Sequence, residues 1–278
     1  MRFAIKTVPQ HTTWQAMLDV WRAADDIDVF DSAWNFDHFY PIFGDGTGPC
    51  LEGWTTLTAL AQATHRIRLG CQVTGMIYRH PAVLANMAAT VDIISGGRLE
   101  LGLGAGWNEQ ETSAYGIPLP PLKERFDRFD EGLEAIVGLL SQDSTTYDGN
   151  YVKLTDAWCD PKPIQRPHPP ITIGGNGPTR TLRAVARHAQ QWNGMSSSPE
   201  EWKAKHDVLV ERCAEVGRDP SEILCSVNVR GSDGPDVVAE RAAAFGGAGV
   251  GLVVVSLPQP YNPRDLEPIA EALRPLQG

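Results

Sequence analysis

Short apolar runs of β-forming residues alternate with longer stretches of helical periodicity along the whole chain. Phe3–Val8 reads as a strand closed by Pro9, and a helix follows from about Thr13 to Ala24. Val29–Trp34 is a second strand. A loop rich in Gly and Pro, Asp37 to Pro49, leads to a helix over Leu51–Ala63, and Arg66–Val73 is a third strand. Pro81 suits the first turn of a helix that runs to Ile94 and puts Val83, Met87, Val91 and Ile94 on one face; Ser95-Gly96-Gly97 stops it. Arg98–Leu103 is a fourth strand. The next helix, Leu122–Leu140, carries Phe126, Phe129, Leu133, Ile136, Val137 and Leu140 at helical spacing.

Thr145 to Pro170 interrupts the alternation. Asp148-Gly149 between β-prone residues predicts a small hairpin, and the prolines from Pro161 to Pro170 predict an extended crossing. Four more pairs follow: Ile171–Ile173 with Thr179–His188, Gln191–Gly194 with Glu200–Val216, Ile223–Arg230 with Asp236–Phe245, and Val250–Ser256 with Leu266–Leu273. Eight βα units with right-handed crossovers predict an α/β fold, a (β/α)8 TIM barrel with an inserted segment at about 145–170, built as one domain over 1–278. The competing arrangement is an open doubly wound sheet. It wants a Gly-rich turn after the first strand, and Val8-Pro9-Gln10-His11 is not one.

Composition narrows the function. The 278 residues carry 42% hydrophobic content, enough for a large core, and a net charge of −10 that opposes nucleic-acid binding and a basic membrane face. Cys50, Cys71, Cys159, Cys213 and Cys225 are scattered, with no C-x-x-C, so neither a disulfide framework nor a metal site is expected and a cytoplasmic setting fits. No stretch has the length of a membrane span, and the first residues lack the apolar run of a signal peptide.

In such a barrel the chemistry gathers where strands end. Asp37-His38, Gln72-Val73-Thr74-Gly75, Gly102 to Glu111, and Gly174-Gly175-Asn176-Gly177 stand at successive strand ends. Asp37 and His38 pair an acid with an imidazole able to exchange protons near neutrality; the plainer alternative is a histidine hydrogen-bonded within its loop. Gly102, Gly104 and Gly106 have the spacing G-x-G-x-G rather than that of a dinucleotide fingerprint, and the polar residues that follow predict no phosphate-binding helix. Gly104, Gly106 and Asn108 are expected to face a cofactor, since glycine lets a flat ligand approach the backbone. Gly174 to Gly177, ahead of Pro178, forms a strand–loop–helix junction whose free N–H groups suit an anion, with Arg180 in reach of it.

Asp37-His38-Phe39, Gly102 to Trp107, Tyr115-Gly116, Arg125 with Glu131, the proline crossing, Ile173-Gly174-Gly175, Ala186-Arg187-His188 and Trp192-Asn193 occur in that order. Together they resemble the luciferase-like flavin and deazaflavin oxidoreductases, in particular the actinobacterial branch that uses coenzyme F420. The resemblance covers nearly the whole chain. It implies a luciferase-like barrel and a non-proline cis peptide at Gln72-Val73 that supports the deazaflavin ring. It implies Asp37 near that ring, His38 near the reacting carbon, Gly174 and Gly175 at the phosphate, and Gln72, Val73 and Thr74 among the cofactor contacts. The implied activity is F420-dependent hydride transfer to or from an organic small molecule, in a protein that pairs as a homodimer. An FMN-dependent monooxygenase and a non-catalytic metabolite-binding barrel are the alternatives. The sugar-phosphate dehydrogenases of that family carry a catalytic glutamate beside the glycines. This chain has Trp107 there, with Glu109 and Glu111 further on, which speaks against a sugar phosphate.

Overall fold

The computed structural model describes residues 1–278. In chain order the elements are β1 (Arg2–Lys6), α1 (Trp14–Asp26), β2 (Phe30–Asn35), α2 (Gly53–Ala63), β3 (Arg68–Cys71), β4 (Thr74–Gly75), α3 (Pro81–Ile94), β5 (Leu101–Gly104), α4 (Glu109–Ala114) and α5 (Leu122–Ser141). There follow β6 (Thr145–Asp148), β7 (Lys153–Ala157), β8 (Ile171–Gly174), α6 (Thr181–His188), β9 (Gln191–Asn193), α7 (Pro199–Val216), β10 (Leu224–Arg230), α8 (Pro235–Gly247), β11 (Leu252–Ser256) and α9 (Leu266–Leu273).

Nine strands form one sheet in the order β3-β2-β1-β11-β10-β9-β8-β5-β4, and every pairing in it is parallel. β3 and β4 are two pieces of one barrel strand, parted at Gln72-Val73. The ring closes where Leu69 bridges Leu99 and the Glu100 N–H donates to the Leu69 carbonyl at 2.8 Å. The TIM barrel expected from the βα alternation is therefore the fold. β6 and β7 make the antiparallel hairpin of the inserted segment. Glu131 of α5 anchors its turn by accepting the N–H groups of Asn150, Tyr151 and Val152 at 2.7–2.9 Å.

The period of two along each strand sorts side chains between helices and barrel interior. Phe3 and Ile5 join the large core between sheet and helices. Ala4 points the other way and packs with Trp34, Leu252 and Val254 inside the barrel. Gly70 lacks the Cβ that would meet the Trp34 ring at 2.7 Å, so a small residue on β3 accommodates a large one from β2. This apolar plug fills the barrel's middle. Beside it, Lys6 and Gln72 at the carboxyl ends of β1 and β3 join Asn228 and Asn193 in a hydrogen-bonded polar layer.

The buried face of α3 differs from the expected one. On α3 the buried face is Leu84, Ala85, Ala88, Ala89 and Val91, whereas Val83 is 53% exposed and Ile94 38% exposed. The helix carries apolar residues on several faces, and the small and branched ones at Leu84, Ala85, Ala88 and Ala89 are the buried ones. A short polar helix, α4, forms after Gly106, where the sequence predicted only that no phosphate-binding helix starts. Asn108 caps α4 by accepting the Glu111 N–H at 3.2 Å, and Glu109 and Glu111 suit the positive end of a helix. Asn108, expected to face a cofactor, uses its Oδ1 for this cap. No helix is long and apolar enough to cross a membrane.

Candidate active site

The loop after β2 delivers Asp37 and His38 to different surroundings. Asp37 is 0% exposed. Arg79 holds both of its oxygens, at 2.5 and 3.0 Å, and reaches Glu52 at 2.6 Å as well. Burial pushes the Asp37 carboxyl above its ordinary range, while Arg79 pulls the other way. With both oxygens engaged, Asp37 is a structural ion pair behind the site; it does not face a ligand as an acid beside His38 would.

His38 is also buried, at 7% exposed, but it is not held in an ion pair with an arginine. Its Nδ1–H donates to Glu111 Oε2 at 2.8 Å. The same carboxylate accepts the Tyr78 hydroxyl at 2.6 Å and the backbone N–H of Phe39 and of Tyr40. Burial would raise Glu111, but the hydrogen bonds from His38, Tyr78 and Phe39 outweigh it and hold its carboxyl below the usual glutamate range. An ionised Glu111 fixes the proton on Nδ1, and Nε2 makes no hydrogen bond within the chain. Phe36, Tyr78 and Trp107 surround the imidazole, with the Trp107 ring centre 5.6 Å away and its side chain 61% exposed. The sequence places Glu111 in a strand-end stretch without a role, and Tyr78 carries no signal in it. They lie 73 and 40 residues from His38. Only the short helix α4, which the composition concealed, would have revealed Glu111.

At the break between β3 and β4 the Gln72-Val73 peptide is cis. Gln72 Oε1 accepts from Lys6 Nζ at 3.1 Å and from Asn228 Nδ2 at 3.0 Å, and the Gln72 carbonyl accepts from Lys6 Nζ at 3.0 Å. Val73 explains much of the glycine pattern. A Cβ on Gly104 would meet a Val73 methyl at 2.8 Å and one on Gly174 would meet another at 3.2 Å, while a Cβ on Gly106 would strike Ile77 at 2.6 Å. These glycines admit neighbouring side chains of the chain itself. Thr74, expected at the cofactor, is fully buried, and its hydroxyl accepts the Trp54 indole N–H at 2.8 Å.

The β8 end is built from backbone. Gly175 has φ +117°, which only glycine adopts without strain. Its N–H donates to the Asn193 carbonyl, and its own carbonyl accepts the Trp192 indole at 2.8 Å. Asn176 exchanges side-chain hydrogen bonds with the backbone of Met195. The backbone N–H groups of Asn176 and Gly177 donate to no acceptor within the chain. Arg180 does not join them. Its guanidinium binds Asp127 at 2.7 Å and Asp130 at 2.8 Å on α5 and lies over the Phe126 ring. The two aspartates outcompete a loop that offers no negative charge, so the expected role of Arg180 at the phosphate is withdrawn.

The luciferase-like monooxygenase family matches residues 1–269. An F420-dependent glucose-6-phosphate dehydrogenase of Microbacterium testaceum is 31% identical over 239 residues, 85% of this chain and 69% of that one. An FMNH(2)-dependent dimethylsulfone monooxygenase of Pseudomonas putida is 32% identical over 169 residues, 60% of this chain and 45% of that one. A solved F420-dependent secondary alcohol dehydrogenase, in complex with an F420-acetone adduct, superposes with a TM-score of 0.89 at 19% identity, covering 100% of this chain and 99% of its own. By its match over nearly its entire length, the chain belongs to the luciferase-like monooxygenase family.

Proposed function

We propose that the protein is an F420-dependent oxidoreductase acting on a small organic molecule at the barrel mouth. The observation that carries this reading is His38, an imidazole with its tautomer set by Glu111 and its second nitrogen without a partner in the chain, on the same barrel as a loop whose Asn176 and Gly177 N–H groups have no acceptor within the chain. The residues fit such a cofactor. The N–H groups of Asn176 and Gly177 would take its phosphate, and Gly175 keeps side-chain atoms out of that approach. Val73, set between Gly104 and Gly174, gives an apolar surface for a ring. When bound, F420 supplies the two-electron hydride chemistry at its C5. His38 then holds or accepts the substrate's proton at Nε2, while Glu111 and Tyr78 keep the imidazole oriented. Trp107 covers the histidine from the solvent side.

The similarity to an FMNH(2)-dependent enzyme supports a second reading, an FMN-dependent monooxygenase on the same barrel. Titrating the protein with F420 and with FMN, followed by absorbance and calorimetry, separates the two. Saturable binding of F420 at least about tenfold tighter than FMN is expected, a difference near 1.4 kcal/mol. Tighter FMN binding overturns the first reading, and binding of neither overturns both.

We also propose that the protein pairs as a homodimer through α2 and α3. A groove of about 920 Å³ runs between these helices, lined by Trp54, Ala59, Val83, Met87, Val91 and Ile94 with neutral polar residues between them and no charged side chain. On a chain of net charge −10, an uncharged apolar face is where two copies meet with least repulsion. Sedimentation equilibrium should give a dimer that Val83→Glu dissociates; a monomeric parent protein overturns this.

A further inference from the structure

Lys6 is the charged side chain of the barrel mouth that the proposed chemistry leaves unused. It ends β1, and the alternation that sends Ala4 into the barrel sends Lys6 the same way. Its ammonium donates two hydrogen bonds, to the carbonyl and to Oε1 of Gln72. Those partners are neutral, and no carboxylate forms a salt bridge with it. A third N–H is left over. The side chain is half-buried, so the mouth still reaches it.

The surrounding polar layer sharpens the imbalance. Gln72 Oε1 faces two donors, Lys6 and Asn228, which fixes the amide orientation, since the flipped amide would set donor against donor. Gln72 Nε2 is then a buried donor with no acceptor. Asn228 has its Oδ1 taken by Asn193. The layer therefore has surplus donors and an uncompensated positive charge, and the complementary ligand is an acceptor that carries negative charge.

We propose that Lys6 recognises an anionic oxygen of the substrate, so that the substrate is a small carboxylate-bearing molecule. This rests on the reading of the mouth as the substrate site, and it names that substrate's class. Burial lowers the Lys6 ammonium from its ordinary value to about 8, with the Cys71 thiol the one ionisable group acting against that shift. Lys6 is charged below that pH and neutral above it. A bound anion should therefore raise the midpoint, and anion affinity should fall as the pH rises through 8.

Succinate is the probe, with succinamide as its neutral counterpart, each added to the full chain with and without F420. In protein carrying 13C-lysine, the resonance absent from Lys6→Met identifies Lys6. Succinate should shift it saturably and raise its midpoint, and succinamide should not. In parallel, succinate should raise the Tm of the parent protein and of Lys6→Arg but not of Lys6→Met, and Lys6→Met should bind succinate at least about tenfold more weakly. Equal responses to succinate and succinamide overturn the proposal, as does succinate binding that survives in Lys6→Met. F420 affinity of Lys6→Met should stay within about threefold of the parent. If that affinity collapses while succinate has no effect, Lys6 serves the cofactor instead. If succinate engages Lys6 while F420 and FMN both fail to bind, the anion site stands and the oxidoreductase reading falls.

Discussion

The two sides of the barrel mouth are built on opposite principles. On the side fed by the loops after β2 and β4 and by α4, charged groups are paired before any ligand arrives: Asp37 with Arg79, Arg79 with Glu52, and Glu111 with His38, Tyr78 and two backbone amides. On the side fed by β8, the Gly174–Gly177 loop offers no charged side chain, and two of its backbone donors are idle. The first side can set the position of a proton, because its dipoles are already oriented and need no reorganisation. The second can receive an anion, because no internal charge competes for its donors. Within the first side, neighbours in sequence differ: Asp37 has both oxygens in an ion pair, and His38 keeps Nε2 without a partner in the chain.

That division should produce the largest effects. His38→Ala should lower turnover about 100-fold or more, the usual loss for a positioned acid–base group. Its melting temperature should change little, since Glu111 keeps Tyr78 and the Phe39 and Tyr40 amides. Asp37→Asn should do the reverse. It removes one partner of a buried ion pair, and although Arg79 retains Glu52, a loss of about 3 kcal/mol is expected. Thermal and urea melts measured beside turnover decide this. If Asp37→Asn keeps its stability and loses its turnover, Asp37 touches the chemistry after all, and the contrast between the neighbours is wrong.

The sequence makes one side of this comparison more legible than the other. Strand–helix alternation carries the barrel, because a period of two and a period of 3.6 are local signals. The glycine loop after β8 is equally local: strand, glycines and Pro178 stand in one run of residues. The charged side is assembled from the loops after β2 and β4 and from α4, and nothing in Asp37-His38 says which residue Arg79 will pair with. Arg79 lies 42 residues from Asp37, and Glu111 lies 73 residues from His38. Gly104 and Gly106 show another limit. A missing Cβ reads as space for a ligand, yet Val73 and Ile77 occupy that space. Lys6 is legible only once β1 has a known inward face.

On the β8 side the expected effect is intermediate and falls on binding. Gly175→Val sets a branched side chain at φ +117° in the anion loop. F420 affinity should drop by about 1–3 kcal/mol, the range for losing hydrogen bonds to a charged group. The strain is present without cofactor too, so the melting temperature of the free protein should also fall. Calorimetry well below that temperature isolates the binding loss. Unchanged affinity would move the phosphate away from this loop.

The smallest effect tests whether a cation helps the loop at all. Arg180 precedes α6, and by sequence alone it stands closest to Gly174–Gly177 among the arginines of that helix. Its guanidinium is spent on Asp127 and Asp130 of α5, a partly exposed pairing of the kind that contributes little to stability. Arg180→Ala should therefore lower the melting temperature by no more than about 2 °C. It should leave F420 affinity within about twofold of the parent, under 0.5 kcal/mol. Raising the salt concentration should not widen that gap, because no Arg180–phosphate contact would be there to screen. A tenfold loss of affinity that grows at low salt would mean that Arg180 leaves the aspartates when the anion arrives. The β8 side would then be a charged site in waiting, and the contrast with the pre-paired side would fail.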